Sequence, residues 1–126
     1  MFRGERGELA SLKSFLEQFC TAEGVSREAC LRLNVVLEEL FVNTVKHGRR
    51  GDGAAPVWVS LGAEGGGRLR VVYEDAGPPF NPYAWLATGS LEHLKPGGLG
   101  VLLTRELSAT RDYAYIFGRN RIRLRV

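Results

Sequence analysis

Long apolar runs are missing from this chain of 126 residues. No stretch approaches the ~20 consecutive apolar residues a membrane-spanning helix needs. The opening Met1-Phe2-Arg3-Gly4-Glu5-Arg6 lacks the apolar core of a secretory leader. Together these absences make a cytoplasmic location, away from membranes, the expectation. Cysteine is scarce as well. Cys20 and Cys30 stand in no CxxC pattern and have no histidine cluster beside them, which argues against a structural zinc site. They read as two buried thiols in a reducing compartment. A strong excess of one charge sign is also lacking: 17 Lys and Arg against 14 Asp and Glu leave a net +3. That suits an anionic ligand but falls short of a dedicated nucleic-acid binder. Neither a Gly-Lys-Ser/Thr phosphate loop nor a GxGxxG after a strand occurs, which excludes the two commonest nucleotide signatures. No internal repeat appears. The length suits a single domain over residues 1–126 with one core.

Hydrophobic residues make up 44% of the chain and charged ones 25%, ordinary for a globular protein. Leu9, Leu12, Phe15, Leu16 and Phe19 recur at spacings of three and four, which predicts a helix from about Glu8 to Glu23, stopped by Gly24. Ser26 is placed as the N-cap of a second helix, with Glu28 suiting its dipole. This helix runs from about Arg27 to His47 and ends at Gly48. It carries a core face of Leu33, Val36, Leu37, Leu40 and Thr44. Phe41, Val42 and Val45 make its other side apolar too, so it should be covered on two sides, by the first helix or by a second copy of the chain. Val57–Leu61 and Leu69–Tyr73 read as strands joined across Gly65-Gly66-Gly67. Pro78-Pro79 and Pro82 break regular structure, and residues 83–96 read as a mobile loop. Gly97-Gly98-Leu99-Gly100 opens a third helix to about Ser108. Arg111–Phe117 and Arg121–Val126 are read as a final hairpin around Gly118-Arg119-Asn120. Hairpin-linked strands and segregated helices predict an α+β two-layer sandwich.

Three segments carry residues suited to chemistry. Glu39, Asn43 and His47 recur every four residues down one side of the second helix, beside its buried face. An Asn carbonyl suits a magnesium ion whose other ligands are phosphate oxygens. A Glu one turn away can take a proton from an attacking hydroxyl. Both residues can equally serve a surface ion pair or a local cap. Asp75 ends a strand and is followed by Gly77: the carboxylate can accept from an exocyclic amine, and the glycine lets a flat ring approach. Asp-x-Gly is also a common turn. The glycines of Gly97-Gly98-Leu99-Gly100 enter a helix whose exposed amides and dipole favour phosphate, or simply form a hinge.

Taken in order, the three segments are more specific than any one. Glu39-Leu40-Phe41-Val42-Asn43-Thr44-Val45-Lys46-His47-Gly48 resembles the N box of Bergerat-fold (histidine-kinase-like, GHKL) ATPases. Asp75-Ala76-Gly77-Pro78-Pro79-Phe80-Asn81-Pro82 resembles their first glycine box, and Gly97-Gly98-Leu99-Gly100 their second. The His-Gly end of the N box and the Asp-x-Gly-x-Pro-Phe-x-Pro form are similar to the anti-sigma-factor serine/threonine kinases. The resemblance spans roughly Val25 to Val126 and implies the Bergerat sandwich, a mainly antiparallel mixed sheet with helices on one face. It implies ATP and Mg2+ as co-reactants. Glu39 would be the general base, Asn43 the magnesium ligand and Asp75 the partner of the adenine amino group. Gly77 would line the ring, and residues 83–98 would form the ATP lid. Gly97, Gly98, Leu99 and Gly100 would contact the nucleotide, with Gly98 and Gly100 facing its phosphates. His47 matches the box without an assigned task. The partners implied are a sigma factor, an anti-anti-sigma (STAS-type) protein phosphorylated on serine, and a second copy of the chain.

Three departures accompany the resemblance. The family usually has a strand before the first helix, whereas almost no chain precedes Glu8, so the sheet is expected to be one strand short or the dimer contact altered. Asn81 stands where Asp is common. Lys95-Pro96 precedes the second glycine box where Arg is common. Lys95 can meet a phosphate oxygen as a point charge, but the proline stiffens the approach. The alternative is therefore a binding module in which ATP sets the shape that grips a regulator and no phosphoryl group moves. Nucleic-acid binding is a third reading, on the row Arg119, Arg121, Arg123 and Arg125. A solvated outer strand face, with Ile122, Leu124 and Val126 inward, accounts for that row more simply.

Overall fold

A computed structural model describes residues 1–47, 56–84 and 98–126, and of residues 47, 98 and 99 only the backbone. The chain runs β1 (Phe2–Arg3), α1 (Leu9–Ala22), α2 (Arg27–His47), β2 (Pro56–Ala63), β3 (Leu69–Asp75), α3 (Gly98–Leu107), β4 (Thr110–Ile116) and β5 (Arg119–Arg125). One five-stranded sheet has the order β1-β2-β3-β5-β4. Every pairing among the described residues is antiparallel. The strand expected to be missing is present: Phe2 pairs with Val57 and Arg3 with Pro56. Two residues suffice because β2 already supplies the ladder, and so short a strand has no alternation to read.

Local chemistry sets the helix ends. Gly24 adopts φ +62, a conformation costly for a residue with a Cβ, and α1 stops there. The Ser26 hydroxyl accepts from the Ala29 amide at 3.2 Å, satisfying one orphan donor of α2 as an N-cap does. Leu12 and Leu16 of α1, Leu33, Val36, Leu37, Leu40 and Phe41 of α2, and Val57, Val71, Tyr73, Ile122 and Leu124 of the sheet close into one core. On the second side of α2, Phe41 and Val45 are buried and Val42 is half-buried, and both α1 and α3 pack on this helix. Phe41 is only 1% exposed. Burying a side chain of that size stabilises by roughly 1.5–3 kcal/mol. Cys20 is buried as expected, whereas Cys30 is half-buried.

The last hairpin differs from the sequence reading. Its turn is Phe117-Gly118, with φ of 54 and 74, and Ile116 pairs with Arg119 across it. Two positive φ values in a two-residue loop are the geometry of a type I′ turn, whose twist suits a hairpin. Arg119 and Asn120 therefore belong to β5, not to the turn. The outer arginines all meet carboxylates. Arg119 and Arg121 share Glu74, Arg123 pairs with Asp112, and Arg125 reaches Glu64 at 3.1 Å. Arg119 also lies 3.5 Å over the Trp58 ring, a favourable cation–π placement. No helix among the described residues is long and apolar enough to cross a membrane.

Candidate functional site

The site grows from the meeting of α2, the end of β3 and the start of β5. Tyr73 lies in the inward phase of β3 with Leu69 and Val71, and it is buried. A buried phenol needs a partner. It has two on α2, the Thr44 hydroxyl at 2.7 Å and the Leu40 carbonyl at 3.3 Å. Burial pushes the Tyr73 phenol far above its ordinary range, so it stays a donor. Thr44 in turn donates to Asp75 Oδ2 at 3.2 Å. The relay runs from Tyr73 through Thr44 to Asp75 and locks the strand end to the helix.

The other carboxylate oxygen of Asp75 accepts from the Gly77 amide at 3.0 Å and from Asn120 Nδ2 at 2.9 Å. Asp75 is thus held from both sides while staying half-buried. Gly77 is buried beside it. Asn120, only 4% exposed, also donates to the carbonyls of Gly77 and Pro78 and accepts from the Phe80 amide and the Tyr113 hydroxyl. Asn81 accepts from the Tyr83 amide at 2.9 Å, a local turn bond that Asp would make equally well. The Tyr83 hydroxyl meets Thr104 of α3 at 2.8 Å.

Asn43 and Asp75 line the same cleft, with Leu40, Thr44, Pro78, Phe80, Pro82, Asn120 and Ile122 as further walls. Apolar walls and a few convergent polar groups suit a flat aromatic ring. The cleft is narrow, about 20 Å3, room for about one water molecule. A purine would enter by parting its walls, and the wall beyond Phe80, with Pro82, belongs to no strand ladder. Glu39 approaches from the same side of α2, one turn before Asn43. A Cβ built on Gly100 would collide with the Glu39 carboxylate, so that carboxylate rests against the first turn of α3. A negative group is favoured there by the helix dipole, and the same position favours phosphate.

The structure therefore brings Glu39 to Gly100, and Asn43 to Asp75 and the Gly77 segment. Gly98, Leu99 and Gly100 begin α3. Gly97, with which that helix was expected to begin, and Lys95 lie outside the described residues, as does most of the expected lid. Of His47 only its place at the end of α2 is described. Sequence reasoning missed Asn120 and Tyr73. Both fall on the inward phase of their strands, and a polar group there demands partners.

A family model described as the histidine kinase-like ATPase domain matches residues 2–126. The chain belongs to that family. Its fold is the Bergerat α+β sandwich, with the antiparallel sheet on one side and the helices on the other. Domains of the histidine kinase-like ATPase family bind ATP with Mg2+, and this chain is a nucleotide-binding module of that kind. Among solved structures, the chain is similar to the histidine kinase domain from the Erythrobacter litoralis EL346 blue-light activated histidine kinase, with a TM-score of 0.57 at 18% identity. The match covers 79% of this chain and 44% of that one. At that identity the likeness concerns the fold alone, and this chain spans less than half of that structure's length. No curated protein matches the chain.

The residues present fit the nucleotide and its ion. Asp75 offers a carboxylate oriented by three donors beside a buried glycine, as recognition of an exocyclic amine requires. Asn43 offers a hard oxygen at the same cleft. Among the described residues no group of three or more His, Cys, Asp and Glu could hold a metal ion.

Proposed function

We propose that the chain is an ATP-binding protein-interaction module whose nucleotide state sets its grip on a partner regulator. The observation that supports it most is the cleft shared by Asn43 and Asp75, with the Glu39 side of α2 running on to the start of α3. Asp75 would accept from the adenine amino group, Gly77 and Ile122 would flank the ring, and Asn43 would offer its carbonyl to the magnesium ion. The first turn of α3, Gly98 to Gly100, would receive the phosphates, and Lys95, near it in sequence, would add a positive charge. Bound ATP with Mg2+ supplies a transferable phosphoryl group and the charge neutralisation it needs. The Glu39 carboxylate rests where α3 begins, so it would have to give way for that helix start to hold phosphate. A shift of Glu39 would loosen the contact between α2 and α3, and that contact is where nucleotide would be coupled to partner.

A second reading makes the module a serine/threonine protein kinase of the anti-sigma kind, holding a sigma factor and phosphorylating a STAS-type protein. The position of Glu39 favours it, since a carboxylate one turn from Asn43 and beside the phosphate end can take the proton of an incoming serine hydroxyl. Incubation with γ-labelled ATP, a sigma factor and a STAS-type protein separates the two. ATP-dependent capture of the sigma factor without label transfer supports the module. Label on serine, lost in Glu39→Gln while nucleotide affinity persists, establishes the kinase. Absence of nucleotide binding overturns both.

A further inference from the structure

Asn120 makes more hydrogen bonds than any other described side chain, and no motif marks it. Its amide orientation follows from its surroundings. On one side stand three acceptors: Asp75 Oδ1 at 2.9 Å, the Pro78 carbonyl at 2.9 Å and the Gly77 carbonyl at 3.3 Å. These demand the NH2 group. On the other side stand two donors, the Phe80 amide at 2.9 Å and the Tyr113 hydroxyl at 2.5 Å. These demand the oxygen. A flipped amide would set an oxygen against a carboxylate and two carbonyls, so only one orientation is tenable.

No other neutral side chain of this size presents two donors and an acceptor to such a set. Serine and threonine have one proton. Aspartate has none when ionised, and it would face Asp75. The residue is 4% exposed, so its amide meets these groups and little water.

We propose that Asn120 is the positioning residue for base recognition: it aims the Asp75 carboxylate and pins the Gly77–Phe80 segment that forms the wall of the base cleft. This rests on the reading of Asp75 as the acceptor for an exocyclic amine. Thr44 and the Gly77 amide hold Asp75 as well, but neither bonds Pro78 or Phe80. Asn120 ties the carboxylate to Gly77, Pro78 and Phe80 at once. It also joins the site to β4 through Tyr113.

Discrimination between ATP and purine riboside triphosphate, which lacks the amino group, tests this. An amine donating to a well-aimed carboxylate gives a preference on the order of tenfold to a hundredfold in affinity. In wild type that preference is expected. In Asn120→Ala it should fall to about threefold or less, with both ligands still bound and near-ultraviolet dichroism showing a packed fold. Asp75→Ala combined with Asn120→Ala should lose little further preference, since both act on one contact. Should Asn120→Ala not fold, Asn120→Asp carries the test. Its new carboxyl, facing Asp75, titrates high. Protonated it donates one hydrogen to Asp75, and ionised it repels it. Preference should therefore recover as the pH falls from about 8 to 5.5, while wild type shows no such recovery. A merely structural role would change thermal stability and leave the ratio of affinities alone. A folded Asn120→Ala with the wild-type ratio, or an Asn120→Asp ratio that stays at the wild-type value at every pH, overturns the proposal. Wild type that binds no nucleotide defeats the functional reading, and the proposal falls with it. Wild type that binds ATP with a ratio near one defeats the role of Asp75 specifically.

Discussion

Replacing Thr44 with Val removes a hydroxyl from the middle of the site while keeping shape and β-branching, so helix propensity barely changes. Two hydrogen bonds go. One is the 3.2 Å donation to the Asp75 carboxylate and the other the 2.7 Å contact with Tyr73. Tyr73 keeps the Leu40 carbonyl at 3.3 Å, and Asp75 keeps Gly77 and Asn120, so neither group is orphaned. A bond to a charged group contributes about 1.5–3 kcal/mol and a neutral one about 0.5–1.5. With the surviving partners in place the loss comes to about 2–3 kcal/mol. An unfolding entropy of about 2.1 cal/mol/K per residue gives roughly 0.26 kcal/mol/K for this chain, so the midpoint should drop by about 8–11 °C. Differential scanning calorimetry measures it directly. Thr44→Ser, which keeps the hydroxyl, should lose less than about half as much. ATP affinity should fall several-fold in Thr44→Val, because one side of Asp75 is released. A Thr44→Val midpoint within about 2 °C of wild type would refute the relay from Tyr73 through Thr44 to Asp75.

Three further outcomes follow from other parts of the structure. Gly100→Ala should leave the unfolding midpoint level or slightly raised, since the colliding atoms are the movable end of Glu39 and Ala favours a helix by up to about 1 kcal/mol. The same change should weaken ATP binding, and unaltered affinity would argue against α3 as the phosphate end. Phe117→Asn should raise the midpoint by a few degrees, because a bulky residue at φ 54 is strained and Asn-Gly suits a type I′ turn; a fall would contradict the strain. Burial holds Tyr73 far above 10.0, and burial followed by the bond to Cys30 holds Cys20 at about 12, above its ordinary 9.0. The unfolded chain therefore ionises these groups first, and the stability they contribute is complete below about pH 9 and declines as pH rises. Tyr73→Phe should show a shallower decline above about pH 10 in denaturant titrations, and an unchanged slope would remove Tyr73 from the account.

The sequence was most legible where one signal dominates. The bounds of α2 follow from Ser26 and the apolar spacing, and the strands from β-branched alternation. Three glycine- or carboxamide-bearing segments, far apart in sequence, pointed to a common region, and Asn43 and Asp75 do line one cleft. The two-residue β1 was illegible because its pairing depends on β2 and not on its own pattern. The turn at Phe117 is hard to read because a bulky residue seldom takes positive φ, whereas Gly118 and the polar residues after it carry the usual turn signal. Asn120 was obscured by its arginine neighbours. Its parity with Ile122 and Leu124 nevertheless put it inside, where an amide must find partners. The apolar second side of α2 left two covers open; α1 and α3 both pack on this helix, with Phe41 and Val45 buried and Val42 half-buried.

Isothermal titration of ATP, with and without Mg2+, into wild type and Asp75→Asn bears most directly on the nucleotide site. Wild type should bind ATP with an affinity that depends on Mg2+, and Asp75→Asn should bind at least about tenfold more weakly. Equal affinity in the two proteins, or no heat of binding in wild type, would contradict it.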